Sequence, residues 1–262
     1  ELEFGTGGMR GIMGVGTNRI NKYTLAKAAQ GLSSFLKSKF KKDKIKVVIA
    51  YDCRHNNELF SKIVSDVLLA NNIDVYLYSS LRTTPQLSFS VRHLNANCGI
   101  VLTASHNPSD YNGFKVYWDD GGQLTHPLDK ELMDKINGTI FDEILYDKKG
   151  RSSNIIDKDV DNAFYDTSIN LGIQDNIKSR DIKIVYTPLH GSSIVSIPEV
   201  LKKVGYKSLI IVKEQAKPDG DFPTVKSPNP EDPKALKMAI DLAEIENAEL
   251  VIGTDPDSDR LG

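Results

Sequence analysis

Asp255, Asp257 and Asp259 alternate with Pro256 and Ser258, and Arg260 follows at once. In an extended or gently wrapped loop this spacing lets three carboxylates converge. Charges so close repel strongly unless a cation lies among them. Hard oxygen donors of this kind suit Mg²⁺ or another hard divalent ion. A solvated acidic turn is the plain alternative. A calcium-binding helix-loop-helix starts with the same alternation, but it needs glycine at the sixth position and a helix before the loop. Here Arg260 holds the sixth position and an apolar, strand-like run precedes the trio, which excludes that reading. Arg260 is suited to contact a phosphate beside such a metal.

A second polar segment, Thr103-Ala104-Ser105-His106-Asn107-Pro108, follows another apolar run. A serine hydroxyl is a poor nucleophile unless something activates it. No Gly-x-Ser-x-Gly elbow surrounds Ser105, which weakens an α/β-hydrolase reading. Phosphoryl transfer asks for an in-line oxygen, a metal to neutralise charge, and cationic clamps; the two segments together supply such parts. Alone, a Ser-His pair would simply cap a turn. Near the start, Phe4-Gly5-Thr6-Gly7-Gly8-Met9-Arg10-Gly11 holds four glycines and one cation. Flexible glycines let backbone N–H groups close around an anion, and Arg10 can grip it bidentately. The segment is neither a Walker A loop nor a Gly-x-Gly-x-x-Gly opening a helix, so a glycine-rich turn is the competing reading.

These residues need a scaffold. Ile45–Tyr51, Asp74–Tyr78 and Cys98–Leu102 read as strands, and Gly113–Trp118 follows a sharp polar turn. Glu58–Ala70 and Leu128–Ile136 read as helices, as does a segment opened by Pro85. After a polar loop over Tyr146–Ser153, Val160–Leu171 reads as a helix. The alternation then restarts: Ile182–Tyr186 strand, Ile194–Val204 helix, Ser208–Val212 strand, Pro233–Ile245 helix, Glu249–Ile252 strand. The five prolines from Pro218 to Pro233 predict a rigid, mostly extended connection. Such alternation predicts an α/β fold: two consecutive α/β domains with mostly parallel mixed sheets sandwiched by helices. A boundary near Arg180 divides residues 1–179 from 180–262. Four polar segments follow predicted strands: Asp52-Cys53-Arg54, the Ser105 loop, Thr187-Pro188-Leu189-His190-Gly191 and the aspartate loop. Ligands gather beyond the carboxyl ends of parallel strands, so these loops are where function is expected.

Together the serine and aspartate segments resemble the α-D-phosphohexomutase superfamily, which includes phosphoglucomutases and phosphomannomutases. Tyr111-Asn112-Gly113-Phe114-Lys115, the Thr187–Gly191 loop and Pro218-Asp219-Gly220-Asp221-Phe222-Pro223 extend the likeness. The opening Phe4–Gly11 segment resembles the branch of bacterial phosphoglucomutases and phosphopentomutase-like enzymes. The resemblance implies that Ser105 is a phosphoserine in the resting enzyme. It implies that Asp255, Asp257 and Asp259 hold Mg²⁺, with a phosphoserine oxygen on Ser105 as a further ligand. The phosphoryl group would pass to a sugar monophosphate, giving a bisphosphorylated intermediate that reorients and returns its other phosphate. Sugar 1-phosphate and sugar 6-phosphate, most simply those of glucose, would interconvert, with a sugar 1,6-bisphosphate as activator. Lys115 matches a lysine that either transfers a proton or clamps phosphate. Arg10 and Arg260 match residues around the phosphoserine; His106 and Asn107 match active-site loop positions. Ser258 stands where alanine is common. The family has four domains, so this chain is expected to be the first two of a longer protein, lacking domains III and IV and useful turnover on its own. Phosphomannomutase or phosphopentomutase activity, a phosphatase, and a non-catalytic phosphosugar-binding or regulatory module are the alternatives.

The 262 residues are 40% apolar and 26% charged, an ordinary globular composition. The 33 basic and 35 acidic side chains leave a net charge of −2, which gives no sign of a nucleic-acid-binding face. No apolar run approaches the ~20 residues that span a membrane. Two cysteines, Cys53 and Cys98, exclude a disulfide scaffold and make a reducing cytoplasm the expected compartment. Both read as core or near-core residues. His55, His93 and His126 show no metal-ligand spacing and read as surface or capping residues, whereas His190 is a candidate for the interdomain cleft.

Overall fold

Strand β3 (Lys46–Tyr51) alternates its side chains between two apolar layers. Val47, Ile49 and Tyr51 pack into one core cluster, and Val48 and Ala50 pack into another on the opposite face. A strand buried on both faces reads as a continuous apolar run, which is what Val47–Tyr51 is. The structure, a computed structural model, describes residues 2, 4–5, 8–41, 44–172 and 181–262.

The first sheet has seven strands: β1 (Phe4–Gly5), β2 (Gly8–Ile12), β3, β4 (Asp74–Leu77), β5 (Cys98–Leu102), β6 (Tyr111–Tyr117) and β7 (Asn154–Ile155). Their order across the sheet is β1-β2-β6-β5-β3-β4-β7. The pairs β5–β3, β3–β4 and β4–β7 are parallel, as the alternation predicts. Helices α1 (Lys22–Lys39), α2 (Asn57–Ala70) and α4 (Leu128–Asn137) cover one face; α3 (Thr84–His93) and α5 (Lys158–Leu171) cover the other.

The second sheet is parallel throughout. It sets β8 (Ile184–Thr187) between β10 (Leu250–Gly253) and β9 (Leu209–Ile211). Helix α6 (Ile197–Val204), the short α7 (Lys213–Ala216) and α8 (Pro233–Glu246) accompany it. Ala239 and Ala243 bring α8 close against Val185 of β8. Helix α5 touches both α3 and α6, and so joins the two units. The boundary expected near Arg180 lies outside the described residues.

The glycine-rich opening lies only in part among the described residues. Gly8–Ile12 is a strand, antiparallel to β6 with Arg10 opposite Gly113; Thr6 and Gly7 lie outside the described residues. Its glycines serve close packing, since a Cβ on Gly8 would approach Phe114 O to 2.6 Å. The Ile194–Val204 helix is split into a 3₁₀ turn over Ser192–Val195 and α6. Pro198 lacks an N–H and would clash with the carbonyl four residues back, so a helix cannot run through from Ile194. Residues 217–232 contain no helix or strand, yet they turn rather than extend, with Phe222 at φ 49°. The longest helix among the described residues, α1, adds to the expected elements; Leu25, Ala28, Ala29, Leu32, Phe35 and Leu36 recur along it at helical spacing. A capping box opens it: Tyr23 N and Thr24 N donate to Asn21 Oδ1, and Asn21 N donates to Thr24 Oγ1.

Helix α1 crosses α4 at Gly31, where an added Cβ would lie 2.6 Å from Ile136 Cα and 2.8 Å from its nitrogen. Overpacking of this kind costs about 1–3 kcal/mol. Urea unfolding of Gly31→Ala should show a loss of about that size, whereas exposed Ser34→Ala should stay within about 0.5 kcal/mol of the parent.

Candidate active site at the facing strand ends

The site forms where the carboxyl ends of the two sheets meet. Loops after β3 and β5, the start of α3 after β4, and the loops after β8 and β10 all converge there. In parallel α/β sheets this end collects ligands because the loops lie free of the helix-covered faces.

Ser105 follows β5 and is buried, with φ 51° in the left-handed region. Its N–H donates to Thr103 Oγ1 at 2.8 Å, which fixes the turn. Its hydroxyl donates to Asp255 Oδ2 at 2.7 Å, across 150 residues of sequence. His106 Nδ1 lies 3.1 Å from Ser105 Oγ. Burial, then the charges of Arg260 and Arg10, lower the His106 pKa and favour its neutral ring.

The trio predicted from spacing does converge. Asp255, Asp257 and Asp259 each offer an oxygen within 4.8 Å of the others. Asp255 and Asp257 are wholly buried. Lys115, on β6, donates to Asp257 Oδ2 at 2.7 Å and to Asp259 Oδ2 at 2.9 Å. Its neighbours Phe114 and Val116 point into the core, so strand alternation turns Lys115 the other way. Burial favours the neutral amine, but Asp257 and Asp259 outweigh it by charge and hydrogen bond, and the ammonium is held charged. Burial, with Asp257 and Asp259 beside it, pushes Asp255 up to about 8. For Asp257, burial acts upward and Lys115 prevails in the other direction.

Thr84, a residue the sequence reading passes over, completes this set. Its N–H donates to Asp257 O at 2.8 Å and its hydroxyl to Asp257 Oδ2 at 2.9 Å. Asp257 Oδ2 is therefore doubly engaged, while buried Oδ1 has no hydrogen-bond partner among the described residues. An unpartnered buried carboxylate oxygen amid two further carboxylates fits a hard divalent cation, which needs such donors. Behind the loop, Ser192 donates to Pro256 O through both its N–H and its hydroxyl. Gly191 permits this contact, since a Cβ there would come within 2.6 Å of Pro256 Cα.

Arg10 is exposed and donates to Asn107 Oδ1 at 2.8 Å, so these two stand at the rim of the Ser105 loop. The Arg260 guanidinium pairs with Glu231 Oε1 at 2.8 Å, while its backbone N–H donates to Asp255 Oδ1. His190 is buried in the second unit, its ring held by Thr224 Oγ1 and Lys217 O rather than lining the Ser105–Asp255 contact. His55 pairs with Asp221, His93 stacks on Phe89, and His126 lies near Asp129, all surface arrangements. Cys98 is buried and Cys53 half-buried; burial raises both thiol pKa values, so neither is primed as a nucleophile.

The sequence matches two family models. Residues 1–143 match phosphoglucomutase/phosphomannomutase, alpha/beta/alpha domain I, and residues 162–262 match domain II of the same family. It is 42% identical over 267 residues to a phosphoglucomutase of Staphylococcus haemolyticus and 40% identical over 269 residues to one of Staphylococcus epidermidis. All of this chain is covered in both cases, but only 48% of each relative, so the chain spans about half the length of the curated relatives it matches. A putative phosphomannomutase from Thermus thermophilus superposes with a TM-score of 0.84 at 25% identity, over 100% of this chain and 56% of that one. A phosphoglucomutase/phosphomannomutase family protein from Burkholderia thailandensis shares the fold, with a TM-score of 0.78 at 24% identity over 99% and 53%. The chain belongs to the phosphoglucomutase/phosphomannomutase family, by its first two α/β domains.

Proposed function

We propose that this chain carries the phosphoryl-transfer centre of an intramolecular phosphotransferase that interconverts sugar 1-phosphate and sugar 6-phosphate. The hydrogen bond from Ser105 Oγ to Asp255, inside an aspartate trio of which two members are buried, carries the reading. A binding module needs neither a buried hydroxyl nor three converging carboxylates. Glucose phosphates are the preferred substrates, a choice supported by the phosphoglucomutase names of relatives at about 40% identity. Mannose or pentose phosphates are the alternatives. A sugar 1,6-bisphosphate would prime the enzyme by phosphorylating Ser105. Two domains, 1–179 and 180–262, would supply this centre; domains III and IV of the longer protein would supply sugar selection, leaving this part inactive alone. Among the described residues no helix is long and apolar enough to cross a membrane; a cytoplasmic phosphosugar enzyme fits that.

Asp255, Asp257 and Asp259 would hold Mg²⁺, with a phosphate oxygen on Ser105 as a further ligand. When bound, the ion neutralises charge on the transferring phosphoryl group. The rest falls to side chains of this chain. A sugar hydroxyl oxygen attacks phosphorus, the bond to Ser105 Oγ breaks, and the proton shed by the hydroxyl ends on the departing Oγ. In the return step Oγ attacks the other phosphate and gives up that proton, which His106, favoured in its neutral form beside Oγ, can accept. Lys115, held charged by Asp257 and Asp259, serves as donor or phosphate clamp rather than as base. Arg10, Asn107 and Arg260 ring the loop for phosphate binding. The phosphoserine itself carries about −1.5 to −2 charges, which beside three aspartates demands these cations.

In the full-length protein, intact mass should show one added phosphate on Ser105, and Ser105→Ala should abolish both it and turnover. Coupled assays should rank glucose 1-phosphate above mannose 1-phosphate and ribose 1-phosphate. Normal mutase rates in Ser105→Ala would refute the mechanism, and release of inorganic phosphate without isomer exchange would mark a phosphatase. Lys115→Met removes one partner of a buried ion pair and should cost about 3–5 kcal/mol of stability in chelator. Saturating Mg²⁺ should recover part of that loss through binding to the native state; denaturant midpoints with and without Mg²⁺ check it.

A further inference from the structure

Arg54 lies directly after β3, and its side chain is fully buried. One terminal nitrogen, Nη1, donates to Pro108 O at 2.7 Å and Tyr111 O at 2.8 Å. The other, Nη2, donates to Ser105 O at 2.7 Å and Asn107 O at 2.5 Å. A single guanidinium therefore gathers four carbonyls of the loop that presents Ser105. Its Nε faces Asp52 Oδ2 at 3.5 Å. Asp52 is itself bound by Asn57 Nδ2 at 2.7 Å and Thr103 Oγ1 at 2.6 Å. Thr103 Oγ1 in turn receives the Ser105 N–H. The second unit closes over this group. The ring of Phe222 lies 5.1 Å from the guanidinium carbon, and Gly220 packs so closely that a Cβ would meet Arg54 Cα at 3.2 Å.

Ser105 occupies the left-handed backbone region, at φ 51°, which a side chain adopts only where its surroundings over-determine it. Four charge-assisted hydrogen bonds from one rigid fork supply that constraint, and no neutral donor or point charge reproduces their geometry. We infer that Arg54, braced by Asp52 and Thr103, is a positioning residue that holds the Ser105 loop in register with the aspartate trio. Its guanidinium is buried and its four hydrogen bonds go to backbone carbonyls, so it acts by fixing the backbone that aims Ser105 Oγ. This role rests on the phosphotransferase reading for its consequences in rate, though not for its consequences in loop rigidity.

The test uses the full-length enzyme and Arg54→Lys, which keeps the charge and loses the fork. Turnover per phosphorylatable Ser105 should fall roughly 10²-fold, the size expected when a reacting group shifts by about 1 Å. The KM for glucose 1-phosphate and the Mn²⁺ affinity should stay within about threefold. A residue that merely stabilises the fold would lower the phosphorylatable fraction and leave turnover per site unchanged, and that result overturns the inference. Amide exchange across residues 105–112 gives a readout that needs no activity: it should speed up in the variant, and unchanged protection contradicts the proposal. Thr103→Val changes no charge and serves if the lysine variant does not fold. It should lower turnover per site while Thr103→Ser restores it; equal rates in both count against the brace. Absence of phosphate and mutase activity in the parent itself sinks the functional reading, while the exchange measurement still judges Arg54.

Discussion

Two of the three carboxylates in the 255–259 loop are sealed from water, and all three lie within 4.8 Å of one another. No protein can keep such a group together without partners, because an unpaired buried charge is among the costliest things a fold can contain. The partners come from the other sheet. Lys115 stands on β6, Thr84 opens α3, and the Ser105 hydroxyl follows β5. Apart from the Arg260 N–H on Asp255, the carboxylates of the second unit's loop are thus satisfied by docking on the first. Electrostatics, rather than apolar contact, sets how the two strand-end surfaces meet at this point. The same demand makes a cation and an arriving phosphoryl group suitable occupants of one place.

The loops that meet there share a local device. Thr103 and Thr187 each close the turn after a strand by accepting the N–H two residues on, from Ser105 and from Leu189. Asp52 does the same for Arg54. Short polar side chains favour such turns because they bond their own backbone. In both sheets the device leads into left-handed residues: Ser105 in one, Leu189 and His190 in the other. Each such conformation costs on the order of 1–3 kcal/mol, which buried hydrogen bonds to fixed strand ends must offset. Rigid strands therefore hand their precision to the loops beyond them.

Much of this is legible in the sequence because the chemistry is local there. Asp255, Asp257 and Asp259 announce themselves by spacing, and Ser105 by its place after an apolar run. The apolar runs at Lys46–Tyr51 and Cys98–Leu102 mark strands buried on both faces. What stays hidden is non-local. Thr84 looks like the polar start of a helix; its bond to Asp257 spans 173 residues. Arg54 reads as one more charge in a loop until the fold brings four carbonyls around it. Helix α1, by contrast, is open to reading: Leu25, Ala28, Ala29, Leu32, Phe35 and Leu36 recur at helical spacing, and they lie on its buried face. Gly8 pairs so closely with β6 that a Cβ would meet Phe114 O, whereas one on Gly11 would meet the side chain of Leu2. Glycine marks close approach without saying of what.

The central claim is that a phosphoryl group on Ser105 and a metal held by the aspartate trio share one site. Phosphorus NMR of the full-length phosphoprotein, titrated with Mn²⁺, measures that proximity directly. With the two sharing a site, the phosphoserine resonance broadens beyond detection at one equivalent of bound Mn²⁺. A sharp, unshifted resonance with Mn²⁺ fully bound would contradict it.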